Sequence, residues 1–310
     1  MLGYVRLMLS FLVLFSHIWL NESFNIGSFA VMVFYILAGL VTSKVFIDVA
    51  KLNIFYFVRD RIIRIFPSYF VIFILSILFL SVTGFGNFNI NNPNIIISLF
   101  IVPLNYFYFF DLSVIDAPVG LNLLIPTAWS LGLELQAYLL LILAIVFKKI
   151  GVFMAFGSFL VFVLSNFGVL DANLFGYRLI CGVFFLFYSG FLIYTKKYKI
   201  LSLFLILSIM LICFIKIFGL AFLAFGLESI SGFVFGSLLI VLCGIKKPQL
   251  RLNSFFGSLS YIVFLDQFLC IWICEYFGIS VLYSIAFSIL LAIFIYFLIE
   301  KPMQIYRFGL

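Results

Sequence analysis

Long apolar runs, broken at short intervals by a few basic or polar residues, dominate this chain. Stretches long enough to cross a bilayer as helices fall at about 4–20, 27–47, 66–84, 128–147, 151–170, 177–195, 200–218, 228–245, 257–276 and 280–299. An eleventh, at about 95–110, is short and lies near Pro93 and Pro103. The pattern predicts an all-α, polytopic membrane bundle of about ten transmembrane helices. It forms one domain over 1–310, and no soluble domain is apparent at either end. The apolar run after Arg6 lacks a small-residue cleavage site, so it reads as a retained first helix.

The basic residues orient the bundle. Lys44, Lys51, Arg59, Arg61 and Arg64 fall between the second and third spans, Lys148 and Lys149 after the fourth, and Lys196, Lys197 and Lys199 after the sixth. Lys246, Lys247 and Arg251 follow the eighth, and Lys301 and Arg307 close the chain. With both termini cytoplasmic, all of these clusters lie inside, provided that 95–110 does not cross. That stretch then belongs to a long outer excursion, about 85–127, lying at the interface or re-entering. The outer loops are nearly free of Lys and Arg.

Composition sharpens this picture. Of 310 residues, 66% are hydrophobic and 9% charged, too few charges to solvate a water-facing surface of this size. The net charge of +7 reflects topology-setting residues and gives no reason to expect nucleic acid. The five cysteines sit in apolar segments and read as core residues; Cys270 and Cys274 share a helix face, but no His or carboxylate joins them into a metal site.

Ionisable residues within spans are expensive and point to function. His17, the one histidine, lies eleven residues after Arg6, on nearly the same helix face and about 16 Å further along the axis. Imidazole suits acid–base chemistry near neutral pH. Glu134 lies in the fourth span. Counted from the outer ends of their own helices, His17 and Glu134 sit about 5 Å and about 9 Å deep, so the carboxylate is a candidate to orient the imidazole. Arg61 and Arg64 share a helix face ahead of Phe66-Pro67, and guanidinium grips phosphate through a planar fork. Trp129-Ser130 opens the fourth span. Asp266 reads equally as a helix–helix contact or a site residue, and Glu300 beside Lys301 as a surface pair at the membrane edge.

These stretches, in this order, resemble the membrane acyltransferase-3 family: Arg6 and His17; Phe34-Tyr35-Ile36-Leu37-Ala38-Gly39-Leu40; Arg61 to Pro67; Trp129 to Glu134; Ser260-Tyr261; and Glu300-Lys301-Pro302. Gln267 stands where that family usually has a late His. The resemblance implies an O-acyltransferase of the bacterial cytoplasmic (inner) membrane. It would move an acyl group, usually acetyl, from cytoplasmic acetyl-CoA to a hydroxyl of a cell-surface polysaccharide, lipopolysaccharide or lipid-linked sugar, with membrane lipids around it. His17 and Glu134 would be catalytic, Arg6, Arg61 and Arg64 would hold the coenzyme, and Trp129 and Ser130 would lie at the acceptor. The chemistry calls for no metal. The chain would act alone or hand its acyl group to a separate extracytoplasmic transferase. Whether His17 acts as base or covalent relay stays open. The rival class is a transporter or flippase of a glycan precursor or small anionic solute, which would also use intramembrane charges; the paired, broken helices of an inverted repeat are not evident in the sequence.

Overall fold

The computed structural model describes residues 1–19, 24–117, 121–219, 221–245 and 252–308; Lys246, Lys247 and Arg251 lie outside them. Among the described residues there is no strand. The main helices are α1 (Leu2–Ile18), α2 (Ile26–Lys44), α3 (Ile54–Thr83), the short α4 (Asn94–Ser98), α5 (Ala128–Val146), α6 (Lys148–Asn166), α7 (Ile180–Tyr194), α8 (Tyr198–Ile217), α9 (Gly226–Ile245), α10 (Asn253–Tyr276), α11 (Ser284–Ile295) and α12 (Lys301–Phe308). Among the described residues, nine helical segments are long and apolar enough to cross a membrane, and Leu2–Ile18 is a shorter apolar helix. These correspond one for one to the ten expected spans.

The largest difference from the sequence reading is α3. It begins at Ile54, so Arg59, Arg61 and Arg64 ride on its first turns and not in a loop. Ile62, Ile63 and Ile65 keep the helical apolar rhythm going between the charges. Pro67 lies inside this helix.

The chain divides into two compact units. Unit 1 comprises Met1–Trp19, Ile54–Gly132 and Gln249–Leu310; unit 2 comprises Leu20–Asn53 and Leu133–Pro248. The division falls inside α5.

In unit 1, α1 packs chiefly on α10. The amino terminus and the Gly3 N–H both donate to Asn253 Oδ1, at 2.6 and 2.9 Å. Tyr4 meets Phe256 and His17 meets Phe268, so the two helices run parallel. α3 follows the same direction: Arg64 reaches the Gly257 carbonyl near its start, and Phe79 meets Tyr276 near its end. α11 runs the other way, pairing Ser288 with Asp266 and bringing Tyr296 back to Phe255. The start of α1 and the end of α11 therefore share one end of the unit.

Among its described residues, the excursion over 85–127 holds no spanning helix; its elements there are two short 3-10 turns and α4. It re-enters. The Tyr69 hydroxyl donates to the Ser98 carbonyl at 2.6 Å, and Tyr69 lies 14 residues, about 21 Å, before the end of α3. On its return, Thr127 Oγ1 donates to the Phe264 carbonyl at 2.9 Å. Irregular backbone at such depth persists only where protein covers it, and Ile101, Leu104, Asn105, Leu123, Leu124 and Ile125 are all buried. At the outer rim, Asp111 Oδ1 accepts the Ser113 N–H at 3.0 Å. The side-chain hydrogen bond with Ser113 holds the Asp111 carboxyl below its usual range.

In unit 2, α2, α7 and α9 run parallel. Tyr35 stacks on Phe187, and further along the Tyr194 hydroxyl donates to Asp48 at 2.5 Å. The Asn25 N–H donates to Glu228 at the start of α9, and Gly232 lies against Met32. α6 runs antiparallel to α7, where Ser158 Oγ accepts the Phe185 N–H at 3.1 Å. At the α2–α7 crossing, a Cβ on Gly39 would overlap the Phe187 carbonyl, and one on Gly190 the Ile36 carbonyl. The backbones touch there because neither residue has a side chain. The directions within each unit agree with the alternation deduced from the basic clusters.

Candidate active site

The inner end of unit 1 is a web of ion pairs. Arg61, buried in the second turn of α3, donates from Nε and Nη2 to Asp60 Oδ2 at 3.0 and 2.5 Å, with its guanidinium 5.6 Å from the Phe57 ring centroid. Arg64 pairs with Glu300 and lies over the Tyr261 ring at 5.2 Å. Glu300 also accepts from Ser68 at 3.1 Å and is 3% exposed. It is thus no surface partner of Lys301, whose ammonium sits over Phe297. The π-turn Tyr296–Glu300 directs the carboxylate inward, where a guanidinium compensates its burial. Tyr261 also donates to the Ile65 carbonyl at 2.9 Å, two residues before Pro67, which gives the Ser260-Tyr261 segment a clamping role. Each of the two arginines has a carboxylate against it, so any phosphate they hold must share them with Asp60 and Glu300.

Arg6 lies one turn beyond Gly3 on α1, and the unbroken helix keeps Arg6, Ser10, Val13 and His17 on one stripe. Ser10 is 0% exposed and Val13 3%, so the stripe is packed shut between the two functional candidates. His17 is partly exposed, its ring centroid 4.6 Å from that of Phe268 and tilted by 51°.

Thr127 meets α10 at Phe264, one turn from Phe268, so the re-entrant segment returns within about 6 Å along α10 of the level of His17. This corrects the depth counts. α5 begins about 18 Å below the outer end of α10 and not at the membrane surface, and the His17 level lies about 12 Å below that end. Trp129 is buried and lies 6.4 Å from Phe107, so it is not a lipid-facing anchor. Ser130 Oγ donates to the Thr127 carbonyl at 3.0 Å. Gln267 Nε2 donates to the Phe264 carbonyl at 2.9 Å. Asp266 is a helix–helix contact: Ser288 Oγ of α11 donates to its Oδ1 at 2.5 Å.

Glu134 belongs to unit 2, where the Tyr138 hydroxyl, one turn along α5, donates to it. Within that unit Glu134 lies in electrostatic reach of the Tyr35 hydroxyl, as do Tyr177 and Arg178. The structure thus gathers Arg6, His17, Arg61, Arg64, Trp129 and Ser130 into unit 1. It sets Glu134 among tyrosines and an arginine that the sequence reading did not single out.

The family model for an acyltransferase domain, acyltransferase-3, matches residues 2–300. The chain belongs to the acyltransferase-3 family. A further similarity is to an uncharacterized protein of Aquifex aeolicus (strain VF5), 32% identical over 200 residues, which covers 60% of this chain and 90% of that one. No solved structure matches the chain. As an integral-membrane acyltransferase-3 protein, the chain is a membrane acyltransferase.

Proposed function

We propose that this acyltransferase moves an acyl group, most simply acetyl, from cytoplasmic acyl-CoA to a hydroxyl of a glycan or lipid-linked sugar at the bacterial inner membrane. The observation that carries the reading is the build of unit 1. An imidazole is held against α10 at the level reached by the re-entrant segment, about 16 Å along α1 from Arg6. At the inner end Arg61 and Arg64 are gathered on the first turns of α3.

In this reading Arg64, with Arg61 and Arg6, contacts the coenzyme phosphates through charge-assisted bonds. The pantetheine arm extends along α1, and the closed packing at Ser10 and Val13 has to part to admit it. His17 takes the proton of the acceptor hydroxyl as the oxygen attacks the thioester carbonyl. The carbon–sulfur bond breaks, the CoA sulfur receives the proton, and an ester remains on the acceptor. Trp129 and Ser130 line the acceptor's approach. Glu134, held by Tyr138, serves on the acceptor side.

The test is transfer of label from acetyl-CoA in membranes carrying wild-type or His17→Ala protein. The variant is expected to lose roughly 10²–10⁴-fold in rate. Undiminished transfer by the variant removes His17 from the chemistry.

A further inference from the structure

Arg178 stands apart from the basic clusters that set the topology. Apart from Lys216, in the last turn of α8, the described lysines of unit 2 (Lys44, Lys51, Lys148, Lys149, Lys196, Lys197 and Lys199) end or follow α2, open α6, follow α7 or open α8. Arg178 sits at the opposite end, on the π-turn Leu174–Arg178 that leads into α7. By the positive-inside rule that end faces outward, where an arginine does nothing for topology.

Its surroundings are organised. Arg178 Nε donates to Asn173 Oδ1 at 2.9 Å, and the guanidinium carbon lies 5.2 Å from the Tyr177 ring centroid and 6.0 Å from that of Phe225. Those two rings are stacked at 5.0 Å and 22°. Ser28 hydrogen-bonds the Tyr177 hydroxyl. The guanidinium is therefore fixed in position, yet Arg178 and Glu134 both keep partial exposure.

The Tyr35 hydroxyl lies in electrostatic reach of both. Tyr35 is 3% exposed and its hydroxyl has no hydrogen-bond partner among the described residues. A buried, unpaired hydroxyl costs about 1–3 kcal/mol unless something pairs with it, which marks a place kept for a ligand.

We propose that Tyr35, Glu134 and Arg178 form a binding site in unit 2 for a neutral, polyhydroxylated ring of the hexopyranose type. A carboxylate accepts, a guanidinium donates and a phenol does both, so the three together can pair with neighbouring ring hydroxyls. Charge argues against an anion. Glu134 and Glu228 both act on the tyrosines around Arg178, so its positive charge is matched before any ligand arrives. The inference rests on the acyltransferase reading only in making this ring the acceptor; the binding itself does not.

The test uses the full chain in lipid nanodiscs, without acyl donor, and saturation-transfer NMR with methyl glucopyranoside, methyl galactopyranoside and the anionic methyl glucuronide as probes. At least one neutral glycoside is expected to bind, more tightly than the glucuronide. Its affinity should fall roughly five-fold in Tyr35→Phe, the effect of one lost hydrogen bond, and at least as far in Arg178→Lys. Tyr35→Phe removes a single oxygen and keeps the stacking on Phe187, so it remains informative if Arg178→Lys folds poorly. The proposal is overturned if neither neutral glycoside binds, if the glucuronide binds better, or if Tyr35→Phe binds like wild type. Loss of transfer activity with glycoside binding intact would count against the acyltransferase reading and not against this site.

Discussion

Arg64 and Glu300, 236 residues apart in sequence, form an ion pair beside Gly257 that ties α3 to the end of α11. Removing either partner leaves a largely buried charge uncompensated, so Arg64→Ala and Glu300→Ala should each destabilise by about 3–5 kcal/mol. The double variant should lose less than the sum, with a coupling of about 1–3 kcal/mol in a cycle measured by thermal unfolding in detergent. Additive losses would mean that the pair is not formed in the membrane.

Thr127 hangs the return of the re-entrant segment on the Phe264 carbonyl. Thr127→Val keeps the shape and removes the donor, and should lower stability by about 1 kcal/mol. The same variant should raise acceptor KM while leaving the dependence on acyl-CoA unchanged. A rise in donor KM instead would assign the segment to the coenzyme.

Gly132 lies where a Cβ would come within 2.7 Å of the Ile101 carbonyl and 3.1 Å of that of Val102. Backbone cannot yield as a flexible side chain does. Gly132→Ala should cost about 1–3 kcal/mol, read as a fall in melting temperature. An unchanged melting temperature would mean that the excursion sits further from α5.

At the α2–α7 crossing, Gly39→Ala and Gly190→Ala should each destabilise strongly. They act on one contact, so the second substitution should add little once the first has forced the helices apart. Full additivity would show two independent contacts.

Asp266 is fully buried, and among the described residues its hydrogen-bond partner is Ser288. Asp266→Asn retains an acceptor for Ser288 and removes an ionisable group, so stability should be unchanged or higher. Asp266→Ala should lose about 1 kcal/mol by stranding the Ser288 hydroxyl. If Asp266→Asn were severely destabilising, the carboxyl would have a charged partner.

The spans, their directions and the non-crossing excursion were legible because each rests on signals local in sequence: apolar run length and where the lysines and arginines fall. The start of α3 was misread because charges on a helix extending past the apolar core look like a loop. The partner of Glu300 was beyond reach, since Lys301 is adjacent in sequence and Arg64 is brought in only by packing. Arg178 belongs to none of the basic clusters that orient the bundle and was not singled out in the sequence. Its signal was present all the same: with Lys216, it lies on the side where basic residues are scarce.

The first helix meets its main partner very late. The amino terminus is bonded to Asn253, 252 residues downstream, and at about 5–20 residues per second the ribosome needs about 13–50 s to make the intervening chain. Throughout that interval the surface of α1 that carries Gly3, Tyr4 and His17 must be covered by lipid or by an insertion factor. A nascent chain arrested before α10 would hold unit 2 in full while unit 1 stayed open, so translation order itself keeps the imidazole from its working environment until the last helices enter the bilayer.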